Sequence, residues 1–309
     1  MKKERSELKS IIEKLLSKNI SITKIRGEAS TKRDFFRIFF ERKSLVAMVY
    51  GAYSPDETDR IIKLTSIYKE NGIMVPRIHT VLSGRIIILE DLGNISLQRF
   101  YSKGNSVVKK NAEVKLAEIL FRILSVPIRY GNGKLDNSRL LSELVFFQNY
   151  FVKNFLPGFV KKDEITNDFI NLTGKIDNES VFAHRDFHSR NIFVQNDNFY
   201  IIDFQDSLIA NKYYDMASIV FDSYMKLRSK KDFIGNIESL CGKIDYDQLF
   251  LVALQRNIKA LGTFGFQIFE RGNRSYKKYI GRTLAHIFNN PTIVKFPEVK
   301  KTLELISNL

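Results

Sequence analysis

Three oxygen-bearing side chains carry the chemical signal of this sequence: Asp186, Asn191 five residues after it, and Asp203 beyond an apolar run. Asp186 closes a His-x-Asp in the segment His184-Arg185-Asp186-Phe187-His188-Ser189-Arg190-Asn191, and Asp203 opens Asp203-Phe204-Gln205-Asp206. In phosphoryl transfer a protein mainly holds an alcohol in line with the transferred group and neutralises charge, which asks for one carboxylate at the alcohol and another at a metal. Asp186 fits the first task as base or orienter, because an ordinary Asp, with a pKa of about 3.9, is ionised at neutral pH. Asp203 fits the second, with Asn191 as a neutral co-ligand, since hard oxygen donors suit a Mg²⁺ ion that bridges to substrate phosphates. A lone His-x-Asp or Asp-Phe signals only loop polarity; the joint spacing carries the chemistry.

Local structure must bring the three together. The apolar stub Val181-Phe182-Ala183 leads into the polar loop, and two β-rich runs, Asn191 to Val194 and Phe199 to Ile202, flank the turn-forming Gln195-Asn196-Asp197-Asn198. A hairpin there returns Asp203 to the neighbourhood of Asp186 and Asn191. Upstream, Leu8, Ile11, Ile12, Leu15 and Leu16 recur at helical spacing. Three β-rich runs follow, Ser21 to Arg26, Phe35 to Glu41 and Ser44 to Tyr50. A helix is expected from about Pro55 to Asn71, with Asp56 and Glu57 in its first turn and Gly72 beyond its end. Arg77 to Leu82 and Arg85 to Leu89 read as a hairpin about Ser83-Gly84. After Gly93 the pattern is mostly helical: Asn111 to Leu124, Asn137 to Phe155, Asp245 to Gly265, Ser275 to Asn289 and Phe296 to Asn308. Gly131-Asn132-Gly133 reads as a plain loop, because no strand precedes it.

The run His184 to Asn191 followed by Ile202-Asp203-Phe204-Gln205-Asp206 resembles the aminoglycoside phosphotransferase and choline kinase superfamily, the small-molecule branch of the protein-kinase-like fold. With Tyr214-Asp215-Met216-Ala217-Ser218, it is similar to the anomeric N-acetylmuramate/N-acetylglucosamine kinases of bacterial cell-wall recycling. Gly27-Glu28-Ala29-Ser30 with Phe36-Arg37, the segment Glu90-Asp91-Leu92-Gly93, and Leu254 to Gly262 with Phe264 extend the likeness over most of the chain. The resemblance implies an α+β, two-lobed fold, with a small β-rich nucleotide-binding lobe over residues 1–92 and a larger, mostly helical lobe over 93–309 carrying the catalytic loop and substrate site. It implies ATP and Mg²⁺ as cofactors and a small sugar as acceptor. Gly27 and Ser30 would meet the nucleotide phosphates, and Glu90 and Leu92 would line the hinge at the adenine edge. Protein kinases place a phosphate-pairing lysine on the third strand, but here that position reads Val46-Ala47-Met48-Val49. Arg37 is the expected substitute, a surface cation on an edge strand being the alternative. Arg185, His188, Asp206 and Arg256 are candidate sugar contacts; Arg185 or Arg256 would suit a carboxylate on the acceptor, or equally an internal ion pair. His184 and Asp215 are expected to hold the loop.

Composition narrows the remaining classes. At 309 residues, 44% of them hydrophobic, the chain has room for two lobes. Cys241 is the single cysteine, which excludes an internal disulfide. No window reaches the roughly 18 apolar residues of a membrane span, and Met1-Lys2-Lys3-Glu4-Arg5 leads into an amphipathic pattern, so a cytoplasmic location is expected. The net charge of +15 attracts polyanions, yet the basic residues are scattered as pairs such as Lys109-Lys110 and Lys277-Lys278, so nucleic acid is not the expected partner. Two alternatives stay open: a kinase for an aminoglycoside, a choline-like alcohol or another sugar, and a nucleotide-binding pseudokinase or basic scaffold.

Overall fold

Alternation of side chains at period two builds the first half of the molecule. The structure, a computed structural model, describes residues 20–25, 33–82, 84–158 and 162–308. Strands β1 (Ser21–Ile25), β2 (Arg33–Phe40), β3 (Lys43–Tyr50), β4 (Ile78–Leu82) and β5 (Ile86–Glu90) form one antiparallel sheet in the order β1-β2-β3-β5-β4. On one face Phe36, Ile38, Ala47, Ile86 and Ile88 join Ile20 and Ile22 in a separate apolar cluster. The other face carries Met48, Tyr50 and Ile87 into the main core. The same alternation turns Arg33, Phe35 and Arg37 of β2 toward the cleft, because they occupy the odd positions that Phe36 and Ile38 do not. The expected N-terminal helix, and Gly27 and Ser30, lie outside the described residues.

Helix α1 (Pro55–Glu70) follows, with Pro at its start, Asp56 and Glu57 in the first turn, and Gly72 just past its end at φ 70°. It buries Ile61, Leu64, Ile67 and Tyr68, and the Tyr68 hydroxyl lies 2.9 Å from Ser207 Oγ. That bond ties the sheet-bearing part to the turn that follows Asp203.

Beyond Gly93 the chain is helical, as the recurrence pattern predicts. Helices α2 (Leu97–Lys103) and α3 (Ser106–Leu124) start on the caps Ser96 and Asn105, whose side chains accept from Arg99 N and Val108 N. The sequence reading places the start of α3 at Asn111, five residues late, because Asn105 was not recognised as its cap. Helix α4 (Asn137–Phe147) continues through a π segment over Gln148–Val152 and a last helical turn over Lys153–Phe155, α5 covers Lys162–Lys175, and α6 (Tyr214–Val220), α7 (Lys230–Cys241), α8 (Tyr246–Gly265), α9 (Lys277–Phe288) and α10 (Pro297–Ser307) follow. The α4 and α8 backbones nearly touch: a Cβ on Gly262 would lie 2.7 Å from Phe147 Cα, and one on Gly265 would lie 2.3 Å from the Tyr150 carbonyl oxygen. Only glycine permits that approach.

Two small β pairs sit between the helices. β6 (Ser180–Ala183) pairs antiparallel with β9 (Leu208–Asn211), and β7 (Ile192–Gln195) with β8 (Asn198–Ile201). Asn196 and Asp197, at φ 49° and 58°, make the two-residue turn of the β7–β8 hairpin expected from the sequence. Among the described residues no helix is long and apolar enough to cross a membrane.

Candidate active site

A cavity of about 740 Å³ runs between the sheet and the helices. Its sheet-side wall carries an apolar strip of Phe35, Val46, Met48, Leu89 and Leu92 beside the charged Arg33, Arg37 and Glu90, and Phe193 and Ile202 also line the space. Its floor carries the polar loop: Asp186, His188, Asn191 and Asp203 all line the same space. The three side chains singled out for chemistry are thus brought to one cleft.

The loop is held from behind. The Asp215 carboxylate, 1% exposed, accepts the main-chain N–H groups of His184 at 2.5 Å and Arg185 at 3.0 Å. His184 is fully buried; its Nε2 lies 3.0 Å from the Ile202 carbonyl, and its Nδ1 accepts from Asp186 N at 3.2 Å. Asp222 does the same further on, accepting from Ser189 N at 2.8 Å and Tyr224 N at 2.6 Å. Burial raises the carboxyl pKa of both Asp215 and Asp222, against the hydrogen bonds and nearby charge that lower it. Arg185 takes φ 80° and Asp203 φ 63°, left-handed conformations that cost non-glycine residues energy and persist here because the surrounding bonds fix the loop.

Asp186 is the electrostatic focus. Burial pushes its carboxyl up, but Lys259, Arg256, His188 and Arg185 together hold it well below the usual carboxylate range. Lys259 Nζ is 3.3 Å and Arg256 Nη2 4.0 Å from Asp186 Oδ1. Burial in turn lowers His188 to about 4, so its imidazole is neutral at physiological pH. Its ring meets Tyr224 edge to face at 5.0 Å, and its Nδ1 is buried without a protein partner.

Asn191 donates from Nδ2 to the Asp186 carbonyl at 3.0 Å, which turns its carboxamide oxygen the other way. Asp203 Oδ1 accepts from Gln205 Nε2 at 2.8 Å. A carboxylate and a carboxamide oxygen are a donor set that fits Mg²⁺. Among the described residues no cluster of three or more His, Cys, Asp or Glu could hold a metal alone.

The remaining candidates divide. Glu90 and Leu92 line the cavity, with the Glu90 carboxylate accepting from Arg77 N at 3.1 Å. Arg37 lines it too, but its guanidinium is committed to the hinge: Nε is 2.7 Å and Nη2 2.9 Å from the two oxygens of Asp91, and Nη1 donates to Asn94 Oδ1 at 2.8 Å. Arg256 lines the cavity with most of its fork engaged, donating to the Arg185 carbonyl at 2.8 Å and Ser218 Oγ at 2.7 Å while stacking on Tyr214. Arg185 pairs with Glu143 at 3.4 Å, and Asp206 accepts from Gln205 at 3.0 Å; neither lines the cavity. So of the two arginines weighed for an acceptor carboxylate, both serve internal contacts.

Sequence reasoning missed Arg33, Glu143 and Lys259. Lys259 stands one helical turn after Arg256 on α8, and Thr263 one turn further, a polar stripe on an otherwise buried helix. That stripe was the available signal. Glu143 gathers Lys259 at 3.9 Å, Arg185, and Gln255 Nε2 at 3.1 Å.

A family model described as the phosphotransferase enzyme family matches residues 21–233. The chain is 23% identical over 307 residues to the N-acetylmuramate/N-acetylglucosamine kinase of Pseudomonas aeruginosa, covering 92% of this chain and 87% of that protein. It is 21% identical over 296 residues to the enzyme of the same name from Neisseria meningitidis, with 87% and 85% covered. Among solved structures, spectinomycin phosphotransferase in complex with ADP and spectinomycin superposes with a TM-score of 0.66 at 17% identity over 97% of this chain and 98% of that one. Choline kinase from Streptococcus pneumoniae gives 0.66 at 15% identity, covering 92% and 98%. These likenesses establish the protein-kinase-like α+β fold, with its β-rich N-terminal part and helical C-terminal part.

Proposed function

The chain belongs to the phosphotransferase enzyme family, and from that premise we propose that it is an ATP- and Mg²⁺-dependent kinase acting on the anomeric hydroxyl of an N-acetylated amino sugar, N-acetylmuramate or N-acetylglucosamine, in the cytoplasm. The observation that carries this reading is Asp186, an ionised carboxylate at the floor of the cavity, opposite the apolar strip and beside Asn191 and Asp203. The named relatives, similar over about nine-tenths of the chain, support the sugar.

Asp186 orients the acceptor hydroxyl by accepting its hydrogen bond. Because its pKa is held so low, it takes the proton late, once charge has built on the leaving and entering oxygens. Asn191 and Asp203 would hold Mg²⁺, which neutralises phosphate charge when bound. The neutral His188 imidazole offers its Nδ1 to a sugar hydroxyl. Residues 1–92 form the nucleotide lobe in this reading and 93–309 the acceptor lobe. Arg190, Arg256 and Lys259 line the cavity together with Asp186 and Asp222, so this wall carries charge of both signs. Incubation of the purified protein with ATP, Mg²⁺ and either amino sugar is expected to yield the sugar 1-phosphate. Its absence, with turnover of another alcohol, overturns the substrate assignment.

A further inference from the structure

We propose that Arg33 is the phosphate-binding cation that stands in for the lysine missing from β3, held in place beside Asp203. Phosphoryl transfer needs a cation near the phosphates that stay with the leaving group. Within β3 the sole lysine is Lys43, which pairs in register with Phe40 at the end of the strand remote from Tyr50. Arg37 is bound to Asp91, Asn94 and the Gly93 carbonyl and holds the hinge.

Arg33 differs from Arg37 in where its charge points. It pairs in register with Tyr50 at the inner end of β2–β3, and its side chain is 12% exposed within the cavity wall. Its Nη2 lies 3.5 Å from Asp203 Oδ1, so an arginine of the sheet meets the proposed metal carboxylate 170 residues away in sequence. Its positive charge also lowers the Tyr50 phenol against the upward pull of burial.

With a metal bound, Asp203 would be one of the residues holding it, and Arg33, placed beside that carboxylate, would be in position to bind phosphate oxygens. The planar fork suits that position, since it matches carboxylate and phosphate geometry alike. The contact thus leaves each of the two charges with an opposite neighbour. This inference rests on the nucleotide-binding part of the kinase reading and is indifferent to the acceptor.

The test compares ADP with adenosine, by calorimetric titration of full-length wild type, Arg33→Met and Arg33→Lys, with thermal melting to confirm folding. Arg33→Met is expected to weaken ADP roughly tenfold to hundredfold while leaving adenosine unchanged, a charge-assisted contact being of that size. Arg33→Lys is expected to recover part of the loss. The ratio of the two affinities cancels any unfolded fraction, so a less stable variant still reports. An unchanged ADP-to-adenosine ratio in both variants overturns the proposal and leaves Arg33 a tie between the sheet and the Asp203 turn. Failure of wild type to bind ADP would instead refute the kinase reading itself.

Discussion

Replacing Lys259 by Met keeps most of the side-chain volume and deletes the cation nearest to Asp186. At 3.3 Å, two unit charges interact by about 1.3 kcal/mol if screened as in bulk water and by about 5 kcal/mol at the effective dielectric of a protein site. The Asp186 side chain is 32% exposed and that of Lys259 17%, so solvent screens part of the attraction. An upward shift of the Asp186 pKa by roughly one to three units follows, at 1.36 kcal/mol per unit. In wild type the carboxylate stays ionised across the working range, so its acid limb lies far to the acid side. In Lys259→Met the limb moves toward the ordinary carboxylate region. The assay is kcat/KM for wild type and variant from pH 7 down to the lowest pH at which both stay folded, expressed as a ratio. That ratio is expected to be level near neutrality and to grow only at the acid end, where the variant's carboxyl protonates first. Stability follows the same sign: a depressed Asp pKa stabilises the fold above the unfolded value of about 3.9, and that contribution disappears as pH falls through the folded value. The stability gap between wild type and variant therefore narrows on acidification. An acid limb that lies no higher in the variant than in wild type would refute the argument, because Lys259 would then act on something other than the ionisation of Asp186.

Asp186→Asn keeps the shape but removes the acceptor of the hydroxyl proton; turnover is expected to fall by about 10² to 10⁴ while ADP affinity in a binding titration stays within twofold. Arg37→Met strands the Asp91 carboxylate, 5% exposed at the hinge. It is expected to cost about 3 kcal/mol in urea unfolding, against near-neutrality for a surface cation such as Lys300, whose partner Glu304 is 51% exposed. Gly265→Ala places a methyl group 2.3 Å from the Tyr150 carbonyl oxygen and is expected to destabilise by about 1–3 kcal/mol. Gly235→Ala, in the middle of α7 with open space around it, is expected to stabilise by about 0.5 kcal/mol in the same denaturation experiment.

The loop and its hairpin were legible because their determinants are consecutive. His184 to Asp206 contains the loop polarity, the turn residues and the β-rich runs within one short stretch, so no long-range packing was needed to bring Asp203 back to Asn191. The sheet was legible for a similar reason, since alternation along β2, β3 and β5 sorts one face from the other. What escaped depends on partners remote in the chain. Lys259 and Glu143 meet across an α4–α8 contact that no periodicity specifies. Arg33 and Arg37 are chemically equivalent on one strand face; only the positions of Asp91 and Asp203 separate a hinge clamp from a cleft cation. The strand pair β6–β9 was half visible, as its first member is an apolar stub and its second follows the catalytic turn.

Gly262 and Gly265 let the backbone of one helix rest on the backbone of another with no side chain between them. The separation of α4 and α8 is thereby fixed by main-chain atoms, which cannot change rotamer. The wall that Arg256, Lys259 and Thr263 of α8 give to the cavity therefore stands on a frame with no slack, and its shape can change only one side chain at a time.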